Sequence, residues 1–347
     1  MDPARLSLNR NEHRSRRVTK LVQVALCTSD MPRSIRAFVE VLGFLNAGGR
    51  PRWGAHVSRL QELPTGDDAH VMLWWLVGRQ EFGGQIELFH HTSPPQRPRR
   101  DDWLPSDLGW TRFGIVVPDF DLTMRYLSQA GYVTMTEPMD SNGYRRVCFR
   151  EPGADTIVEI MEEDPSLPAA LAGSYSPQPA LSYAAVSVSD LDRARIYFGE
   201  VFGFTEIEPD AIHRPEHEKL WGLEGAQSGC AVFMAGDVLL EVVQYESPTP
   251  KEPAPDYLLS DQGMMNVAMG YRDRSEFINH VAAAESAGAT RTTEIPEVSG
   301  SVYLRIVDGI SVELFLVPVG LDASFGLVPE ELAPPGNVFG AKISGAK

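Results

Sequence analysis

Four glutamates sit inside runs of apolar residues: Ile86-Glu87-Leu88-Phe89, Val158-Glu159-Ile160, Leu240-Glu241-Val242 and Val312-Glu313-Leu314-Phe315. A carboxylate buried alone in an apolar strand is expensive unless it is paired or protonated. A purely structural role would need four buried partners, whereas lining a cleft costs less and explains the repetition. Apolar neighbours raise a carboxyl pKa, which suits a general acid or base near neutral pH. Three histidines invite a second chemistry. His213 and His217 lie in IHRPEHEKLWGLEG (212–225), where i, i+4 spacing would put both rings on one helix face, as in two-histidine metal sites. Pro215 between them argues for a loop or a helix start; the other reading is a polar lid over a cleft, with Trp221 packed beneath it. His91 shares a strand face with Glu87 and could join it as a ligand, while His90 faces the other way; histidines near a strand end are more often plain surface residues.

These groups are positioned by a repeat. Val22–Phe44 (VQVALCTSDMPRSIRAFVEVLGF) and Ala184–Phe204 (AAVSVSDLDRARIYFGEVFGF) each read as an alternating strand, Ser-Asp, an amphipathic helix and a Gly-Phe turn. Asp30 and Asp190 suit helix N-caps, and Gly43 and Gly203 suit the left-handed residue that ends a helix. Two weaker copies run over Phe113–Gly131 and Val267–Gly288. Glu87 and Glu241, Glu159 and Glu313, and Asp119 and Asp273 are each 154 positions apart, the mark of a duplication, while Asp30 and Asp190 are 160 apart, leaving a longer loop in the first half. The pattern predicts an α+β fold: four βαβββ modules paired into two domains, each a curved mixed sheet around a cleft with helices outside. Neighbours in sequence are expected to pair. This gives a basic arm over 1–17, a first domain over 18–163, a Pro/Ser/Ala/Gly-rich linker over 164–179, a second domain over 180–318 and a loose tail over 319–347.

The chain has 347 residues, 43% hydrophobic and 22% charged, which fits folded domains rather than a disordered polymer. A net charge of −16 opposes binding to nucleic acid or anionic lipid. No apolar run reaches the roughly 20 residues of a membrane span, and no secretory signal is evident. Cys27, Cys148 and Cys230 are scattered and suit neither a disulfide framework nor a zinc cluster, so a cytoplasmic location is expected. Trp74 and Trp75 are adjacent in one strand, so one of them faces the cleft; Phe233, Met234, Met264, Met265 and Met269 could add soft surface, consistent with a partly hydrophobic ligand.

The strand–Asp–helix–Leu-Gly-Phe signature, in four copies spanning roughly 18–318, resembles the vicinal oxygen chelate superfamily, which includes glyoxalase I, methylmalonyl-CoA epimerase, bleomycin- and fosfomycin-resistance proteins and type I extradiol dioxygenases. The resemblance implies that first-strand ligand positions fall on Gln23, Arg112, Tyr183 and Asn266, and last-strand positions on Glu87, Glu159, Glu241 and Glu313. None of the first-strand positions is histidine, so iron-dependent ring cleavage by the family mechanism is not expected. No cofactor is certain. A divalent metal, if bound, would use Gln23, Glu87 and Glu159, or Asn266, Glu241 and Glu313. Arg112 cannot ligate a cation and reads as a built-in substitute for one, pairing with Glu87 or Glu159. The leading expectation is a lyase-, isomerase- or epimerase-type enzyme. A cleft glutamate would remove a proton beside a carbonyl, Arg112 would hold the oxyanion, and Gln23, Tyr183, Asn266, His213, His217 and Trp221 would contact substrate. The alternatives are a metal-free sequestering protein of the resistance type, or a metal-dependent dioxygenase with unusual ligands. The expected partner is a small molecule, not nucleic acid or membrane, and a homodimer stays open.

Overall fold

The computed structural model describes residues 19–172 and 177–330. The basic arm over 1–17 and the tail beyond 330 lie outside the described residues. Unit one supplies β1 (Lys20–Cys27), α1 (Met31–Arg36, continued by a π-helical turn Ala37–Val41), β2 (Leu45–Trp53), α2 (Ala55–Gln61), β3 (His70–Val77) and β4 (Gln85–Ser93). Unit two supplies β5 (Gly109–Val116), α3 (Phe120–Gln129), β6 (Met139–Ser141), β7 (Tyr144–Glu151) and β8 (Thr156–Met161). After the short α4 (Pro168–Leu171), unit three supplies β9 (Ala180–Ser187), α5 (Leu191–Arg195, with a π-helical turn Ile196–Val201), β10 (Thr205–Ile207), β11 (Gln227–Ala235) and β12 (Val238–Ser247). Unit four supplies β13 (Gly263–Tyr271), α6 (Arg274–Ser286), β14 (Thr290–Arg291), β15 (Gly300–Arg305) and β16 (Ser311–Leu316).

The four aspartates do the same local work. Asp30, Asp119, Asp190 and Asp273 accept from first-turn amides at 3.1, 2.8, 2.9 and 2.9 Å, satisfying donors the helix cannot use itself. Alternation along each strand then separates two environments. Ile86 and Leu88 enter the main core with Phe38, Phe113, Phe198 and Tyr271, where the helices of both sheets meet; Phe89 points the other way, with Cys27, Trp75 and Tyr303.

The modules pair differently from the expectation. Units one and four form sheet A (β14-β15-β16-β13-β1-β4-β3-β2), and units two and three form sheet B (β10-β11-β12-β9-β5-β8-β7-β6). β1 runs antiparallel to β13 with Ala25 opposite Asn266, and β5 antiparallel to β9 with Gly114 opposite Tyr183. The proposed domains 18–163 and 180–318 are therefore replaced by a nested arrangement. The physical reason is a degeneracy. Units one and three resemble each other, as do two and four, so both pairings join one unit of each kind, and repetition alone does not choose between them. Accordingly, 164–179 is no interdomain linker. It connects β8 to β9 within sheet B, and its buried Ala169 offers a carbonyl to Arg79 at 3.1 Å.

The chain passes between sheets through residues 94–108 and 248–262 instead. Each passage begins with a cis proline, Pro94 and Pro248. They clasp each other reciprocally: Leu108 N donates to Lys251 O at 3.0 Å, and Gln262 N to Arg97 O at 2.9 Å. Asp107 and Asp261 brace the same positions of each, accepting from Leu104 N at 3.1 Å and Leu258 N at 2.9 Å. The stretch after Pro318, expected to be loose, is folded as far as Glu330. Asp322–Phe325 forms a 3-10 turn tied to Arg272 by an ion pair at 2.6 Å, Leu327 is buried, and Glu330 N donates to Asn46 O at 2.9 Å.

Candidate active site

The nested pairing redistributes the predicted residues. Gln23 and Glu87 meet Asn266 and Glu313 on sheet A, while Arg112 and Glu159 meet Tyr183 and Glu241 on sheet B. Both predicted metal sets are thereby split, and Arg112 pairs with Glu241 rather than with Glu87 or Glu159.

On sheet B every charge is matched. Arg112 Nη2 lies 2.8 Å from Glu241 Oε2, and its guanidinium stacks on the Trp221 ring at 3.6 Å. Glu241 Oε1 also meets His213 Nδ1 at 2.5 Å. Glu159 accepts from Tyr183 Oη at 2.6 Å, from Trp221 Nε1 at 2.8 Å and from Arg146. Arg112, Tyr183, Trp221, Glu159 and Glu241 are fully buried. Burial opposes the ionised forms of Glu159 and Glu241, but Arg146 and Arg112 outweigh it and hold both carboxyls below the usual range. Burial likewise opposes a charged His213, yet Glu218 and Glu241 lift it to about 9. His217 is pushed down to about 4 by burial and by Arg146, which approaches its Nδ1 at 2.9 Å. The ring nitrogens of the two histidines are engaged by Glu241, Glu218, Arg146 and Ser141. Both residues lie on a segment that includes a 3-10 helix, Pro215–Trp221, which plugs the face with Trp221 underneath, as the lid reading expected.

Sheet A differs. Glu87 is held by Trp75 Nε1 and Gln23 Nε2, each at 2.7 Å, and faces a cavity of about 190 Å³. Glu313 Oε1 accepts from Ser301, whereas its Oε2 is buried without a hydrogen-bond partner. Gln23 Oε1 and both amide atoms of Asn266 are in the same condition. Asn266 stands where Arg112 stands on sheet B, and the cations of this face are Arg52, which lines the cavity and tempers Glu87, and Arg50, 4.8 Å over the Trp75 ring. Burial, reinforced by Glu313, raises the Glu87 carboxyl well above its ordinary range, and burial lifts Glu313 to about 7. Trp75 is the tryptophan that faces this cleft, and Trp74 goes to the core. His91 is not a surface residue: it is buried, stacks on Phe89 with centroids 6.0 Å apart, meets Gln61 at 2.8 Å and is pushed down to about 3 by burial.

The folded C-terminal segment closes one side of the cleft. Gln85 Nε2 donates to the carbonyls of Phe325, at 3.0 Å, and of Gly326, and Phe325 packs edge-on against Phe315. Gly326 has φ +63°, and a Cβ there would come 2.5 Å from the Trp75 ring, so only glycine lets the strap lie this close. Sequence reasoning missed this strap, and it missed Ser301, Gln85 and Tyr303. Strand alternation could have found Ser301 and Tyr303, since Tyr303 pairs with Glu313 in the ladder.

No protein-family model matches the chain, and no curated protein matches it. Solved structures do. A protein from Bacillus subtilis subsp. subtilis str. 168, provisionally assigned as a dioxygenase, aligns with a TM-score of 0.59 at 13% identity over 90% of this chain and 92% of that one. Glyoxalase I from Zea mays aligns with a TM-score of 0.57 at 15% identity over 86% of this chain and 92% of that one. With two eight-stranded mixed sheets built from four βαβββ modules, the chain has the fold of the vicinal oxygen chelate superfamily, in its duplicated form.

Proposed function

We propose that the sheet A cleft is the working site of an enzyme that moves a proton on a small carbonyl compound. The observation that carries this reading is the buried, unpartnered Glu313 Oε2 on the cavity wall, with Asn266 on the adjoining strand beside Tyr303. A base with a pKa of about 7 is matched to proton abstraction near neutral pH. Glu313 takes the proton next to the carbonyl, and its Oε1 stays fixed by Ser301. Asn266 Nδ2 donates to the oxygen on which charge develops, in the role expected of Arg112. Glu87, pinned by Trp75 and Gln23, lines the same cavity, while burial is what raises Glu313. Trp75, Leu73 and Phe89 exclude water, and at about 190 Å³ the cavity sits below the roughly 300–1,000 Å³ of drug-sized pockets, so the substrate is small or displaces the strap.

The same residues fit a hard divalent cation. Gln23 Oε1, Asn266 Oδ1 and Glu313 Oε2 are buried oxygens without partners, and Glu87 adds a second carboxylate. When bound, such an ion would polarise the substrate carbonyl.

The test is exchange of carbon-bound hydrogen in D2O, followed by proton NMR over a panel of small α-hydroxy- and α-ketocarbonyl compounds, with and without added Mg²⁺, Mn²⁺, Ni²⁺ or Zn²⁺. Exchange that vanishes in Glu313→Gln supports the reading. Equal exchange in parent and variant, or tight binding without exchange, sinks it, and the second result favours a sequestering protein.

A further inference from the structure

A cavity of about 470 Å³ lies elsewhere. It shares no lining residue with the sheet A cleft and opens where the two passages between the sheets lie against each other. A layer of Cys27, Leu259 and Met265 stands between it and the cleft: the Cys27 thiol donates to Leu259 O at 3.1 Å and touches Met265 Sδ at 3.9 Å.

Its shape arises from a broken symmetry. The passages are related by the same 154-position offset as the strand glutamates, but their side chains differ at matching places: Arg99 against Pro253, Arg100 against Ala254, and Trp103 against Tyr257. One passage supplies cations and a large ring, and the other leaves space opposite them.

Among the described residues the cations around this space are in ion pairs with one exception, while two lining carboxylates, Glu252 and Asp308, are in none. Arg97 meets Asp256 and Asp261, Arg100 meets Asp107, Lys251 meets Asp102, and Arg305 meets Glu62. Arg99 is in no ion pair at contact distance, and Asp155 and Asp107 act on its charge only from farther away. Its Nη1 donates to the Asp155 carbonyl at 3.0 Å, and its guanidinium lies over the Trp103 ring at 3.9 Å. Burial draws it down to about 10, so it stays charged at neutral pH. On another wall, Ser311 Oγ is buried with no hydrogen-bond partner, flanked by Trp110, Ile310 and Met264. A half-buried cation without a counter-ion in contact and an orphaned hydroxyl are both groups whose hydrogen-bonding capacity the protein itself leaves unused.

The geometry points to a second binding site here, for an amphipathic organic anion: a carboxylate or sulfonate on Arg99, a polar atom within reach of Ser311, and an apolar body against Leu259, Met265 and Trp110. The volume lies within the range of ordinary ligand pockets. The site does not rest on the proton-transfer reading of the cleft.

The experiment is a fluorescence titration of the purified full chain with 1-anilinonaphthalene-8-sulfonate, with 2-naphthoate, decanoate and the uncharged 2-naphthalenemethanol as competitors. The expected result is saturable binding of one equivalent. It should be displaced by one or both carboxylates but at least tenfold less well by the alcohol, and weakened at least tenfold in Arg99→Gln. Ala254→Trp, on an exposed passage, fills the space without touching the core and should remove binding. Glu313→Gln should leave it unchanged. Preference between 2-naphthoate and decanoate separates a flat aromatic ligand from an acyl chain. Binding that persists in both Arg99→Gln and Ala254→Trp, binding lost only in Glu313→Gln, or no saturable binding overturns the site.

Discussion

The two sheet faces have the same architecture and opposite electrostatics. At the four matching positions sheet B carries Arg, Glu, Tyr and Glu, and sheet A carries Gln, Glu, Asn and Glu. Arg146 neutralises Glu159, and a second guanidinium, Arg112, completes the change of this face from a site into a core. It neutralises Glu241, supports Trp221 and leaves no acceptor free. Where Asn266 replaces the charge of Arg112, and Gln23 the phenol of Tyr183, the carboxylates keep raised pKa values and unpaired atoms. Duplication therefore preserved the carboxylates on both faces, and the guanidiniums beside them determine whether they are available.

The largest expected break in this contrast is Arg112→Met. It leaves Glu241 buried without its main counter-charge and should cost about 3–5 kcal/mol in urea unfolding, whereas Glu313→Gln should cost less than about 1 kcal/mol or stabilise the fold. Equal losses would remove the distinction between the two faces. Next in size, Glu313→Gln should reduce any hydrogen exchange on substrate by roughly 100-fold or more, while His217→Gln should leave the rate within about twofold, since His217 lies on sheet B against Arg146 and Ser141.

The pH dependence of stability should run in opposite directions. Glu313 rises from its ordinary 4.5 to about 7 on folding, so its contribution is complete below 4.5 and is lost as pH rises through 7. Glu159 and Glu241 are depressed, so theirs is present above the ordinary carboxylate range and is lost on acidification. His213 rises to about 9, and its contribution, complete below 6.5, is lost as pH rises through 9. Stability curves for Glu313→Gln should therefore flatten between pH 4.5 and 7, and those for His213→Gln between 6.5 and 9. Curves parallel to the parent in both windows would show that neither group senses its face as described. The smallest effect is Gly326→Ala, which forces a Cβ against Trp75 and should destabilise the strap by about 1 kcal/mol. Hydrogen exchange of backbone amides over 318–330 would register that loosening, and unchanged protection would show that the strap is not seated on Trp75.

The modules were legible because their signals are local: an aspartate that caps a helix, a glycine that ends it, and a glutamate at a fixed strand position. The sites were legible only as separate halves, because Gln23 and Asn266 lie in units that repetition can pair in two ways. Arg112 did not choose between them, because either pairing brings a strand glutamate of another unit beside it, Glu87 in one and Glu241 in the other. Ser301 and Tyr303 were hidden because their strand is identified by its neighbours more than by its own pattern. The strap was hidden because Leu321–Leu327 has no periodicity; it is held by a carbonyl contact and by the space a glycine leaves.

Nesting has a consequence for how the chain is made. Sheet B occupies one continuous stretch, so it can assemble while the ribosome is still adding unit four. Sheet A cannot, because Lys20 finds its ladder neighbour only when Gly270 has emerged. The plugged half is thus available as a scaffold before the open one exists, and a nascent polypeptide halted within unit four would carry the finished inert face but no complete cleft.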